Sequence, residues 1–215
     1  GVSDRAVDRC RCEEQGGVFE GGDTECASLI CPLPDWCGDA YYSQFGYDQY
    51  AYYYNQDNQY LGFIYATADD FTAGGSADIT GIVWQEFVQS FGGDPANPPG
   101  ADWSLYYTSG SGGPGRLIAS GNDVTTGFQR LSSGELMYGY YPVYWTLLDF
   151  GGPVRVVSGE YYINGRMMAN SYPNAYWYAY MLTAPGSGSG AYYQQNNTFS
   201  RQKTAYEMSF CVLGS

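Results

Sequence analysis

The sequence predicts an all-β protein: an antiparallel β-sandwich, jelly-roll-like, with a disulfide-stapled N-terminal appendage. Three observations predict it. The chain holds 24 Tyr and 30 Gly in 215 residues; aromatic residues favour strands, and glycine without a Gly-x-y period favours turns and bulges. Short alternating apolar segments recur at intervals of roughly ten residues between Gly/Pro-rich turns. No long stretch carries an apolar stripe at helical period; Asp4 to Glu14 comes nearest, and there Val7 stands nearly alone among charges. A closed barrel is the alternative architecture.

In order along the chain, residues 1–40 form a cysteine-rich segment, 41–65 a Tyr/Asn/Gln-rich lead-in with an edge strand, and 66–215 the sandwich. Of six cysteines, Cys10, Cys12, Cys26, Cys31 and Cys37 lie early and Cys211 lies near the end. An even count in an acidic, Gly-rich segment too short for its own core reads as a disulfide framework made in an oxidising compartment. Cys10-x-Cys12 with wide spacings after it does not match the paired spacing of structural zinc. In the lead-in, Tyr47, Tyr50, Tyr52, Tyr53, Tyr54 and Tyr60 sit among Asn and Gln. They are interface candidates, with rings that can pack while hydroxyls stay wet.

Ala68 to Val88 reads as a hairpin: an acidic strand, a Gly-Gly-Ser-Ala turn, and a longer strand. On that second strand Ile82, Trp84 and Val88 share a face and Ile79 falls out of step. Ser90 to Gly100 is a Gly/Pro loop. Trp103, Leu105 and Tyr107 alternate with Ser104, Tyr106 and Thr108, a half-buried strand. After a Ser/Gly loop, Arg116 to Ser120 is a short strand. Glu135 to Phe150 holds one strand or two, with Pro142 dividing them or marking an edge. Val154–Val157 and Glu160–Ile163 flank Ser158-Gly159 as a tight hairpin. Ala175 to Leu182 is a further strand, Pro185 to Gly190 a hairpin loop, and Ala191 to Gln195 a short aromatic segment. In the last strand Tyr206, Met208, Phe210 and Val212 face the core, so Glu207, Ser209 and Cys211 face outward. That orientation predicts a covalent staple between Cys211 and the N-terminal segment.

The net charge is -13, and Lys203 is the single lysine. With so few and such scattered cations the chain is not a nucleic-acid binder and does not suit an anionic membrane. It has no histidine, which removes the usual general base near neutral pH and the commonest zinc ligand. No apolar run reaches the roughly 20 residues of a membrane span, and a secretory signal is expected to have been removed already. Asp69 and Asp70, with Asp78 nearby, are the candidate calcium ligands, since a hard cation takes loop oxygens; no other cofactor is expected. Glu86 with Asp102, or Glu135 with Glu160, would be the acid and base of a glycoside hydrolase. Among 22 acidic residues some pair always exists, so the chain is not expected to be an enzyme. Trp84, Trp103, Trp145 and Trp177 read as core. Asn196-Asn197-Thr198 is a glycosylation sequon.

Cys12 to Cys26, followed by Cys31-Pro32, resembles a small cysteine motif of secreted proteins from planctomycetes and similar bacteria. Asp69-Asp70-Phe71, Ile79-Thr80-Gly81-Ile82, Trp103 to Tyr107, Gly159-Glu160-Tyr161-Tyr162, Trp177-Tyr178 and Met208-Ser209-Phe210 resemble an extracellular β domain found beside that motif. The resemblance implies a secreted module and transfers no catalytic residue. The expectation is therefore an extracellular or cell-surface structural or assembly module, a homo-oligomer or polymer such as a filament or surface layer, built through tyrosine-rich protein interfaces. Glycan binding by exposed Tyr and Trp is second, and hydrolysis a distant third.

Overall fold

The computed structural model describes residues 36–44, 48–54, 56–58, 63–90, 98–168, 177–184, 191–195, 198–203 and 207–215. The chain divides into two compact units, Gly1–Trp36 and Cys37–Ser215. Cys10, Cys12, Cys26 and Cys31, the sequon at Asn196, and Tyr47 and Tyr60 lie outside the described residues.

The second unit is all-β. Its strands are β1 (Tyr42–Gln44), β2 (Asp48–Tyr54), β3 (Gln56–Asn58), β4 (Phe63–Ala73), β5 (Ala77–Ser90), β6 (Ala101–Thr108), β7 (Pro114–Val124), β8 (Phe128–Met137), β9 (Tyr141–Val156), β10 (Gly159–Met168), β11 (Trp177–Ala184), β12 (Tyr192–Gln195), β13 (Thr198–Lys203), β14 (Glu207–Met208) and β15 (Phe210–Gly214). They form two sheets, consistent with a sandwich. The eight-stranded sheet is built on β5, which pairs with β9, β11 and β15; the seven-stranded sheet runs β13-β12-β4-β3-β10-β6-β7. Pairings are antiparallel except the short parallel contact of β3 with β10.

Phe71, Leu105, Tyr161 and Ile163 from one sheet meet Ile79, Ile82, Trp84, Leu148, Phe210 and Val212 from the other in one buried cluster. Ile79 joins this face because the β5–β9 register shifts between Ile79 and Gly81. One extra residue in a strand reverses the alternation on its far side, which is why simple alternation reads Ile79 as out of step. The two sheets approach closely at Gly165, where a Cβ would lie 2.6 Å from the Trp84 ring. Only a residue without a side chain admits the indole there.

Two expected hairpins are instead crossings between sheets. β4 and β5 belong to different sheets, and so do β9 and β10. The Gly74-Gly75-Ser76 and Val157-Ser158 turns therefore carry the chain over the rim of the sandwich. Tyr161 secures the second crossing, its hydroxyl accepting from Val157 N and donating to Val157 O. The true hairpin in this region is β8–β9, with Pro142 at the start of β9 opposite Leu136. On β6, Ala101 to Leu105 are buried on both faces rather than on one, because the face turned from the core carries the buried Asp102–Arg166 ion pair at 3.0 Å.

The staple to the last strand is present: Cys37 is bonded to Cys211 across a sequence separation of 174. Met208, Phe210 and Val212 enter the core as alternation predicts. Glu207, Ser209 and Cys211 are nonetheless all buried, not solvent-facing. Ser209 donates to Gln85 at 2.5 Å, and β1 pairs beside β15 with Ser43 opposite Cys211.

Candidate functional sites

Two places gather chemistry. The first is the junction of β1, β4 and β14. Asp69 shares the inward face of β4 with Phe71, yet it is fully buried because polar groups from the other sheet converge on it. Met208 N donates to Asp69 Oδ2 at 2.6 Å, Gln44 Nε2 donates to the same oxygen at 3.1 Å, and Asp70 N donates to Oδ1 at 2.9 Å. Gln44 Nε2 also reaches Met208 O at 3.1 Å, and Tyr42 donates to Gln44 Oε1 at 2.8 Å. Asp69, Asp70 and Glu207 each bring a carboxylate oxygen, all within 4.8 Å of one another.

Burial, then the Glu207 charge, hold the Asp69 carboxyl well above the usual carboxylate range, against the pull of the Met208 and Asp70 N–H groups. A hydrogen bond between Asp69 and Glu207 requires a proton on one of them. Tyr42 is pushed up to about 12, first by burial and then by Asp69, Asp70 and Glu207. Two arrangements relieve the crowding: a shared proton, or a hard cation such as calcium, which these oxygens could coordinate. Asp78, expected beside Asp69 and Asp70, instead forms an exposed ion pair with Arg155 at 3.0 Å; Glu207 takes its place. Alternation assigns Glu207 a face but cannot show that β4 closes over it.

The second place is the outer face of the eight-stranded sheet near the β8–β9 turn. Phe87 stacks on Tyr180 at 4.8 Å between ring centroids and on Tyr141 at 5.8 Å. Met137, Val143 and Leu182 complete this small buried cluster. Gln89 lies at its edge, donating to the Tyr141 hydroxyl and accepting from that of Tyr180, each at 3.3 Å. Beyond it the turn presents Leu136, Tyr138 and Tyr140, which are 53%, 43% and 68% exposed. Tyr138 has φ 54°, an uncommon conformation for a bulky residue. It sets the ring edge-on to Phe87. The sequence signal for this turn is the Tyr-Gly-Tyr between alternating runs.

The carboxylates suggested for hydrolysis are placed as follows. Glu86 points into the sandwich from β5 and is paired with Arg130 at 2.5 Å. Burial raises its pKa, with Arg130 opposing. Asp102 lies on the face of the other sheet turned from the core, paired with Arg166. Trp84 and Trp103 are buried. Of the lead-in tyrosines, Tyr50, Tyr52, Tyr53 and Tyr54 lie on β2, whose backbone pairs with β11; their side chains lie outside the described residues. Among the described residues no helix is long and apolar enough to cross a membrane. No family model matches the chain, and no curated protein is similar to it at a significant level.

Proposed function

We propose that the chain is an extracellular structural or assembly module, of jelly-roll-like topology, that works by protein contact through tyrosine-rich surface and not by catalysis. The observation that carries this reading is the aromatic turn: exposed Leu136, Tyr138 and Tyr140 over the packed layer of Phe87, Tyr141 and Tyr180. Exposed rings seated on a rigid strand platform supply contact area at low entropy cost, which is why tyrosine is enriched in interfaces. Burial of Asp69 and Glu207 favours a structural role for the acidic junction, and a calcium ion held by Asp69, Asp70 and Glu207 would brace one sheet against the other. Secretion rests on the cysteine-rich N-terminal segment and the resemblance it carries. Light scattering and negative-stain microscopy of native protein, across pH and with or without calcium, test assembly; particles that stay monomeric under every condition refute it. Glycan binding is the second reading, favoured by the Gln89 amide set between two tyrosine hydroxyls, and a glycan array tests it.

A further inference from the structure

We infer that a second copy of the chain docks on the outer edge of β8, the two β8 strands pairing antiparallel about Leu131 so that two eight-stranded sheets become one. This rests on the assembly reading above and deepens it, naming the contact and the partner.

Three observations lead there. First, β8 is the least guarded of the described edges. Among the described residues it pairs only with β9, in unbroken register from Phe128 opposite Leu148 to Ser132 opposite Tyr144. The other edges are interrupted or short. β7 shifts register three times along β6, β2 shifts on β11, β13 shifts on β12, and β1 and β14 have three and two residues. Bulges and short lengths keep sheets from joining edge to edge, as do proline and charge.

Second, Phe128–Ser132 has no proline, and its one charge, Arg130, offers no guard. An inward charge normally keeps an edge open because an added strand would strip its water. The Arg130 side chain is already 1% exposed, held by Glu86 at 2.5 Å and set 4.3 Å from the Tyr144 ring centroid. That desolvation has occurred inside one copy, so a strand laid on β8 removes no charge from water here.

Third, the backbone is self-matching. Asp149 N donates to Gly127 O at 2.7 Å, one step before the Phe128–Leu148 pair. Ladder alternation then turns the N–H and C=O of Gln129 and Leu131 towards β9 and those of Arg130 and Ser132 away from it. A two-fold axis normal to the sheet preserves each residue's face, so a residue meets one an even number of positions away. Centred on Leu131, Arg130 and Ser132 of one copy exchange backbone bonds with Ser132 and Arg130 of the other. The two Leu131 side chains form the close, non-hydrogen-bonded pair between them. Centring on Arg130 would set two like charges opposite one another, which opposes pairing. Phe128–Ser132 holds no carboxylate, so this strip sets no anion against another although each chain carries -13. A strand from an unrelated protein could meet the same backbone groups but brings no such matched register.

The test uses the whole oxidised chain. Sedimentation over a concentration series should show reversible self-association that tightens as salt screens the net charge. Residue-resolved amide exchange should show the Ser132 N–H slowing as concentration rises, while that of Leu131, turned to β9, does not change. Ser132→Pro deletes the outward N–H at a position an edge strand tolerates, and Ser132→Lys sets an ammonium opposite Arg130 of the other copy. Each should weaken association about ten- to a hundredfold. Gln129→Ser should leave it unchanged. Near-ultraviolet dichroism confirms that each variant is folded.

Self-association untouched by both Ser132 variants but lost in Tyr140→Ser would place the contact at the aromatic turn: the assembly reading stands and this inference falls. Equal protection of the Ser132 N–H at concentrations where the chain is monomeric would show the edge closed within one copy, and would also overturn it. A chain that stays monomeric throughout removes both readings together.

Discussion

Removing the Cys37–Cys211 bond by the double substitution Cys37→Ala, Cys211→Ala probes the largest constraint on the described unit. Both cysteines are changed together so that neither is left to mispair. In the chain-entropy picture a cross-link stabilises by about 2.1 + 1.5R ln n cal/mol/K. With the separation of 174 as n, this is about 5 kcal/mol at room temperature. The alanines add about 1 kcal/mol, since Cys211 is fully buried and its sulfur leaves a small void. Residual contacts in the unfolded chain act the other way, so about 3 to 5 kcal/mol is the expected loss. For a domain of this size that lowers Tm by about 6 to 20 °C. Scanning calorimetry and urea midpoints of both proteins under oxidising conditions measure it. The three β1–β15 pairings and the packing of Tyr42 on Phe71 and Phe210 should keep β1 docked below the transition. A double variant that melts within about 2 °C of the parent would refute the reasoning, because the bond would then close no loop that the unfolded chain opens.

Gly165→Ala forces a methyl against the rigid Trp84 indole, with contacts of 2.6, 2.8 and 3.2 Å; overpacking of this kind should cost about 1 to 3 kcal/mol, read by urea denaturation. Asp69 is held above its ordinary pKa by burial and by Glu207, so the folded state retains a proton that the unfolded chain releases. The stability from this group is therefore complete below the ordinary aspartate range and is lost as pH rises through the elevated folded value. Glu207→Gln removes the second cause, and its plot of urea midpoint against pH should be flatter than the parent's. Calcium should raise Tm in the parent and fail to do so in Glu207→Gln, with magnesium as control; thermal melts in chelator and in excess calcium check this.

How much of this was legible in the sequence depends on whether the deciding contact is local. Alternation along Tyr206 to Val212 places Cys211 opposite the core, and the bond to Cys37 agrees. The same alternation gives Glu207 and Ser209 their face but not their burial, because burial is decided by β1, β4 and β5, segments distant in sequence. Turn chemistry fails in a related way. Gly74-Gly75-Ser76 and Ser158-Gly159 serve a hairpin or a crossing between sheets equally well, and the choice falls to the edge partners of the strands they join. The extra residue between Ile79 and Gly81 shows only in the register of β9.

The candidate sites follow the same division. Asp69 and Asp70 are adjacent and conspicuous, but their third carboxylate, Glu207, comes from β14, far along the chain. Tyr47 to Tyr60 draws notice because its rings are consecutive, whereas the aromatic platform unites Phe87, Tyr141 and Tyr180 from β5, β9 and β11. A surface assembled from three strands leaves no contiguous motif. The composition nevertheless foretells it, since 24 tyrosines exceed what one core between two sheets can seat. The excess must lie on outer faces, and a strained Tyr138 beside a buried aromatic cluster marks one place where the fold sets such rings out for contact.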